Sequence, residues 1–230
     1  MMNEKIFYLL QINDALFPIG GYSHSYGLET YIQKGIVKST LDAKNYLTNK
    51  LKYSILYTDL FGVRLSYEYA KEENLEQLIA FNQITEAGKI PYELRDASKK
   101  LGSRFVKTIL GIDITYSSDF LNRFIESVGN RNIHHTCIYG AFCAVMGISM
   151  EDALMHYLYA QTSAIVTTCV KSIPLSQTDG QIILSESFPL LRELLTKVME
   201  LTFESYGLGA PGFDLRSMQH EHLYSRIYMS

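Results

Sequence analysis

The chain has 230 residues, a formal net charge of −3, 47% hydrophobic and 20% charged residues. That length can bury a sizeable core in one large domain or two small ones. The near-balance of charge gives no basic excess, which argues against a nucleic-acid partner.

The three cysteines, Cys137, Cys143 and Cys169, form no C-x-x-C pair. They fit neither a disulfide framework nor a zinc site and read as buried thiols of a reducing compartment. The first ten residues carry Glu4 and Lys5 and lack the apolar stretch of a signal peptide. The longest apolar run, residues 137–148, is too short to span a bilayer. A cytoplasmic protein without a membrane partner is expected. Tyrosine is abundant (17, against 11 Phe and no Trp). Its apolar ring and polar tip suit half-buried surfaces and interfaces, although compositional drift explains the count equally well.

Taken in order, the hydrophobic pattern predicts about ten helices, over residues 5–12, 23–34, 40–57, 59–72, 75–87, 91–110, 118–128, 133–147, 150–172 and 180–205. Ala43, Leu47, Leu51 and Ile55 recur every four residues, and Asn74 is a natural N-cap before Leu75, Leu78 and Ile79. Strand alternation is nearly absent, with residues 112–116 the best short candidate. Connections are short and polar, and none divides the chain into two domains. The expected fold class is all-α: a single-domain bundle over residues 1–206, followed by a flexible, polar and aromatic C-terminal tail, residues 207–230. Three glycines and Pro211 introduce that tail, which buries little by itself and is suited to ordering against a partner.

The first candidate site is residues 16–29, where Pro18, Gly20 and Gly21 make a turn and Ser23 is placed to cap a helix. No Lys-Ser/Thr follows the glycines, so it is no phosphate loop, and Ser23 lacks the closing glycine of a nucleophile elbow. The histidines are scattered, and His134 and His135, adjacent on a helix, point to different faces. A dedicated metal site is therefore not expected, and His135 reads as a hydrogen-bonded core residue. On residues 93–107, Lys100, Arg104 and Lys107 form a basic stripe, and Gly102 permits close helix packing. Lys171 stands in the last turn of a helix that Pro174 ends, with Thr178 or Asp179 able to cap the next. No catalytic triad, H-E-x-x-H motif or paired catalytic carboxylate assembles. From these residues alone the chain is an all-α interaction protein, with a hydrolase using Ser23 or Ser25 as a remote alternative.

Four segments in fixed order carry a resemblance. Residues 16–29 resemble the opening pattern of the UreF family of urease accessory proteins, with Phe17 as an inserted position. Glu93, Arg95, Ala97, Ser98, Leu101, Gly102 and Arg104 resemble that family's middle helix. Val170, Lys171, Ile173, Pro174, Leu175 and Gln177 resemble its late helix end, with Ser176 in place of glycine. Residues 217–230 resemble its closing segment, where Gln219, Ile227, Tyr228 and Met229 depart from the commoner residues and two positive charges are lost.

The resemblance implies a non-enzymatic, homodimeric assembly factor that handles nickel within a complex without itself binding a cofactor. It implies a complex with UreD (also called UreH) and the GTPase UreG acting on apo-urease, with the metallochaperone UreE supplying nickel. Its implied partner-binding residues are Lys171, Gln177, His220, Glu221, Tyr224, Ser225 and Arg226. A GTPase-activating or gating role toward UreG is the alternative.

Overall fold

The computed structural model of the chain describes residues 4–112, 114–116, 118–209 and 211–230. Every regular element among them is helical, as the periodicity predicts. Helix α1 spans Glu4–Asn13, and a 3₁₀ turn, Gly21–Ser23, precedes the short α2, Leu28–Gln33. Helix α3, Thr40–Lys50, runs without a break into a π-helical stretch, Leu51–Leu60, and on into α4, Phe61–Lys71. Then follow α5 (Leu75–Gly88), α6 (Tyr92–Leu110), α7 (Phe120–Val128), α8 (His135–Val145), α9 (Met150–Ser172), α10 (Gln177–Glu186), α11 (Phe188–Glu200) and α12 (Pro211–His220).

Side-chain caps fix several starts. The Ser39, Asn74 and Ser149 side chains accept the backbone N–H three residues on, and Ser176 with Asp179 forms a reciprocal capping box. The cap of α10 is thus Ser176 rather than Thr178 or Asp179, with Asp179 as its reciprocal partner.

The apolar run at 137–148 becomes the centre of the molecule. In α8, apolar almost all round, only Ala144 is not buried, and α4 and α6 pack against it. Two glycines let the backbones approach. A Cβ on Gly102 would stand 2.1 Å from the Ile133 carbonyl oxygen, and one on Gly140 would stand 2.5 Å from that of Val63. Around these crossings Phe105 and Phe142 meet edge to face at 5.5 Å. All three cysteines are buried and free.

Four expectations change. The helix drawn over 23–34 begins only at Leu28, because Tyr26 and Gly27 take left-handed conformations (φ 52° and 86°) that no helix continues through. Ser23 therefore caps nothing, and its hydroxyl donates to the Gly20 carbonyl at 2.7 Å. The helices drawn over 40–57 and 59–72 are one, since the π stretch absorbs the phase shift that reads as a boundary. Residues 180–205 divide at Ser187, with Pro189 in the first turn of α11. The strand candidate at 112–116 includes Asp113, which lies outside the described residues, and no strand occurs among the described ones.

The fourth change is the C-terminal segment, expected as a tail that buries little by itself. It holds helix α12, which packs on α2 and α6. Phe213 closes an aromatic cluster with Tyr31 and Tyr46, at 5.9 and 5.7 Å. The segment buries Ser217, His220, Tyr228 and Ser230. The burial comes from alternate residues dispersed along a polar sequence, which leaves no continuous stripe to read.

Candidate partner-binding site

The four segments singled out in the sequence converge at one end of the bundle. The loop before α2 supplies the floor. Its Gly20 is left-handed (φ 80°), and a Cβ there would fall 2.0 Å from the Arg104 guanidinium of α6, which reaches the Ile19 carbonyl at 3.4 Å. The last residues of the chain lie along this loop. The Ser230 carbonyl accepts N–H bonds from Ser25 and Tyr26, at 2.5 and 3.1 Å, and the Ser25 hydroxyl at 2.7 Å. The Met229 N–H donates to the Ser23 carbonyl at 2.8 Å. Ser23 and Ser25 thus spend their hydroxyl protons on carbonyls, which removes the arrangement a serine nucleophile needs.

Electrostatic anchoring comes from α2 and α6. His220 is fully buried; its Nδ1 lies 2.6 Å from Glu93 Oε2 and its Nε2 lies 3.0 Å from Glu29 Oε2. Glu29 also accepts the N–H groups of Ile227 and Tyr228, at 2.7 and 3.1 Å. Burial pushes the Glu29 carboxyl up, but these N–H donors and the His220 ring outweigh it and hold it below the usual carboxylate range. Arg226 donates to Glu93 Oε1 at 2.6 Å, and Gln33 donates to the Ser225 carbonyl at 2.6 Å.

The expected site residues fall into two groups. Tyr224, Glu221, Ser225 and Arg226 are exposed on the C-terminal segment. His220, by contrast, turns wholly inward. Lys171 is exposed at the end of α9, beside Ser172, whose hydroxyl meets Tyr228 Oη at 3.5 Å. Gln177 is exposed on the first turn of α10. No sequence pattern assigns Glu29, Gln33 and Glu93 the role of holding the segment in place. Buried charge is the signal, and burial is what a sequence does not display.

Two adjoining cavities lie behind this surface. One, of about 120 Å³, is lined by Lys50, Asp59, Lys89, His135, Tyr157 and Asp214 among others. The other, of about 370 Å³, reaches Lys171 and Tyr228. His24, Tyr26, His135 and Tyr157 belong to both walls. Burial, then the charges of Lys100 and Arg104, bring the His24 imidazole down to about 4. The adjacent histidines diverge as expected: His134 contacts Ser98 and Glu86, at 3.0 and 2.8 Å, while His135 turns to the cavities. Among the described residues no cluster of three or more His, Cys, Asp or Glu is placed to hold a metal. No described helix is long and apolar enough to cross a membrane.

A family model described as UreF matches residues 37–188. The chain is also 32% identical, over 229 residues, to the urease accessory protein UreF of Bacillus sp. (strain TB-90), covering 99% of this chain and all of that one. The chain belongs to the UreF family.

UreF proteins are accessory proteins rather than catalytic enzymes. The model match runs from just before α3 to the first residue of α11. The full-length likeness takes in the loop at 16–29 and the closing segment, so both halves of the convergent site lie within it.

Proposed function

We propose that the chain is an assembly scaffold for nickel insertion into apo-urease, bridging UreD/UreH and the GTPase UreG as a homodimer in the cytoplasm. The observation that supports this reading best is the division of labour in the C-terminal segment. Inward residues, His220, Tyr228 and Ser230, fix its backbone, while Tyr224, Ile227 and Met229 stand 106%, 78% and 55% exposed. Large apolar side chains presented on an anchored backbone suit a docking surface, because little ordering entropy remains to be lost on binding. Nickel is cargo of the complex in this reading, and the chain itself binds no cofactor.

Lys171 and Gln177 give the second contact surface, assigned to UreG. A GTPase-activating role through Arg226 is less well supported, because its guanidinium is engaged by Glu93. Lys171, exposed at a helix end, leaves a gating role available.

Co-expression with UreD followed by affinity capture tests the scaffold. A soluble, folded chain that never retains UreD overturns it. Measuring UreG turnover with and without the assembled complex separates a gating role from a purely structural one.

A further inference from the structure

The first turn of α12 closes one wall of the smaller cavity, and it does so over a buried charge. Gly207, Gly209 and Asp214 line that cavity together with Lys50 and Asp59. Lys50, 6% exposed at the end of α3, lies with its ammonium 4.8 Å from the centroid of the Phe213 ring. Its charge is matched in sign by the two aspartates, but matching does not make it favourable. Burial brings the Lys50 ammonium down to about 8, although Asp59 and Asp214 both pull the other way. Burial likewise pushes the Asp214 carboxyl up, against the pull of Lys50 and Lys89. Each charge is therefore less stable beneath the closed turn than in water, and attraction to the Phe213 ring offsets only part of the loss.

The flanks of this turn are held firmly. Before it, Tyr206 packs on Phe81 at 4.8 Å and its hydroxyl meets that of Thr85 at 3.0 Å. After it, His220 lies between Glu29 and Glu93. The stretch between has more freedom. Gly207 and Gly209 are exposed, Gly207 is left-handed (φ 79°), and a Cβ on Gly207 or Gly212 would meet nothing within 4 Å. Such glycines let a backbone swing at little steric cost.

We infer that residues 207–209 and the first turn of α12 form a lid over this cavity, hinged between Tyr206 and His220, with Lys50 as the group that favours its opening. The contacts of Phe213 with Tyr31 and Tyr46 hold the lid shut. Opening lets water reach the Lys50 ammonium and the Asp214 carboxylate. It also connects both cavities to solvent, since His24, Tyr26, His135 and Tyr157 line the two alike. The chain beyond His220 stays docked, so Tyr224, Ile227 and Met229 keep their outward places whether the lid is open or shut.

Amide hydrogen exchange of the full chain, read by NMR, tests this. Leu215 and Arg216 should exchange well ahead of Ile227 and Tyr228, whose N–H groups bond Glu29. Lys50→Met replaces the ammonium with an apolar side chain of similar length and should slow exchange at Leu215 and Arg216 by about 10-fold. A lysine that merely braced the turn would give the opposite sign. The double variant Lys50→Met with Asp214→Asn removes both charges; it should give the same slowing, and it decides the matter where the single variant fails to fold. Exchange of Leu215 and Arg216 in step with Ile227 and Tyr228, or exchange unchanged or faster at Leu215 and Arg216 in the folded variants, overturns the inference.

Discussion

His220 and Glu29, far apart in the chain, meet at 3.0 Å with side chains 0% and 4% exposed. Glu93 holds the other ring nitrogen, so each nitrogen of His220 faces a carboxylate oxygen. Glu29 in turn gathers the backbone of residues 227 and 228. The pair therefore does more than neutralise charge: it sets the path of the last ten residues.

His220→Phe should loosen that path. It leaves Glu29 buried without its imidazole and should cost roughly 3 kcal/mol, as one-sided deletion of a buried pair does. Hydrogen exchange should rise over residues 217–230 before the helical body responds, and a chain that keeps its protection there contradicts the assignment. Acid should act in the same direction. The Glu29 pKa is lowered from 4.5 in the folded chain, so its stabilisation is present above that ordinary value and is lost as pH falls through the lower folded one. Docking of the segment should therefore persist at neutral pH and fail only in acid. Following Tyr228 by NMR against pH checks this.

The closeness of α6 and α8 to their neighbours gives a second expectation. Gly102→Ala and Gly140→Ala place a methyl group inside 2.6 Å of backbone oxygen, and the atoms that must yield are main chain. Each should destabilise by about 2–3 kcal/mol or more, although alanine is the better helix former by about 1 kcal/mol. Thermal melting of the two variants decides it, and unchanged melting would mean the helices do not cross as described.

Surface and stability separate at the C-terminal segment. Arg226→Ala removes an ion pair whose guanidinium side is 39% exposed, so its effect on stability should stay within ~1 kcal/mol. Tyr224→Ala should leave melting unchanged, since the ring touches solvent only. Under the proposed scaffold both variants should lose UreD in affinity capture while remaining folded. Capture equal to the parent chain would move the interface elsewhere.

Glu73 supplies a test confined to the backbone. It follows α4 with φ 53°, a conformation that favours glycine. Glu73→Gly should raise stability by about 1 kcal/mol, read from a denaturant midpoint at unchanged slope.

The helical body was legible because its signals are local: four-residue periodicity, Ser and Asn caps, and an apolar run that could only be interior. Gly102 announced a close helix crossing for the same reason. At the C-terminal segment only the exposed residues could be read. Tyr224 and Arg226 are residue types that anchor interfaces wherever they stand, but nothing near Glu29 in sequence says that its partner lies 191 positions on. His135 shows the converse. An imidazole beside an apolar run reads as a satisfied core residue, and only the fold reveals that its Nε2 has no hydrogen-bond partner.

The π-helical stretch between α3 and α4 sets the rotational timing of everything after it. Ten underwound residues, Leu51–Leu60, turn α4 so that Gly62 and Ser66 meet α8. Excising one residue there would let the spiral relax to ordinary pitch. The harm would appear several turns downstream, where the side chains now facing α8 would swing toward water.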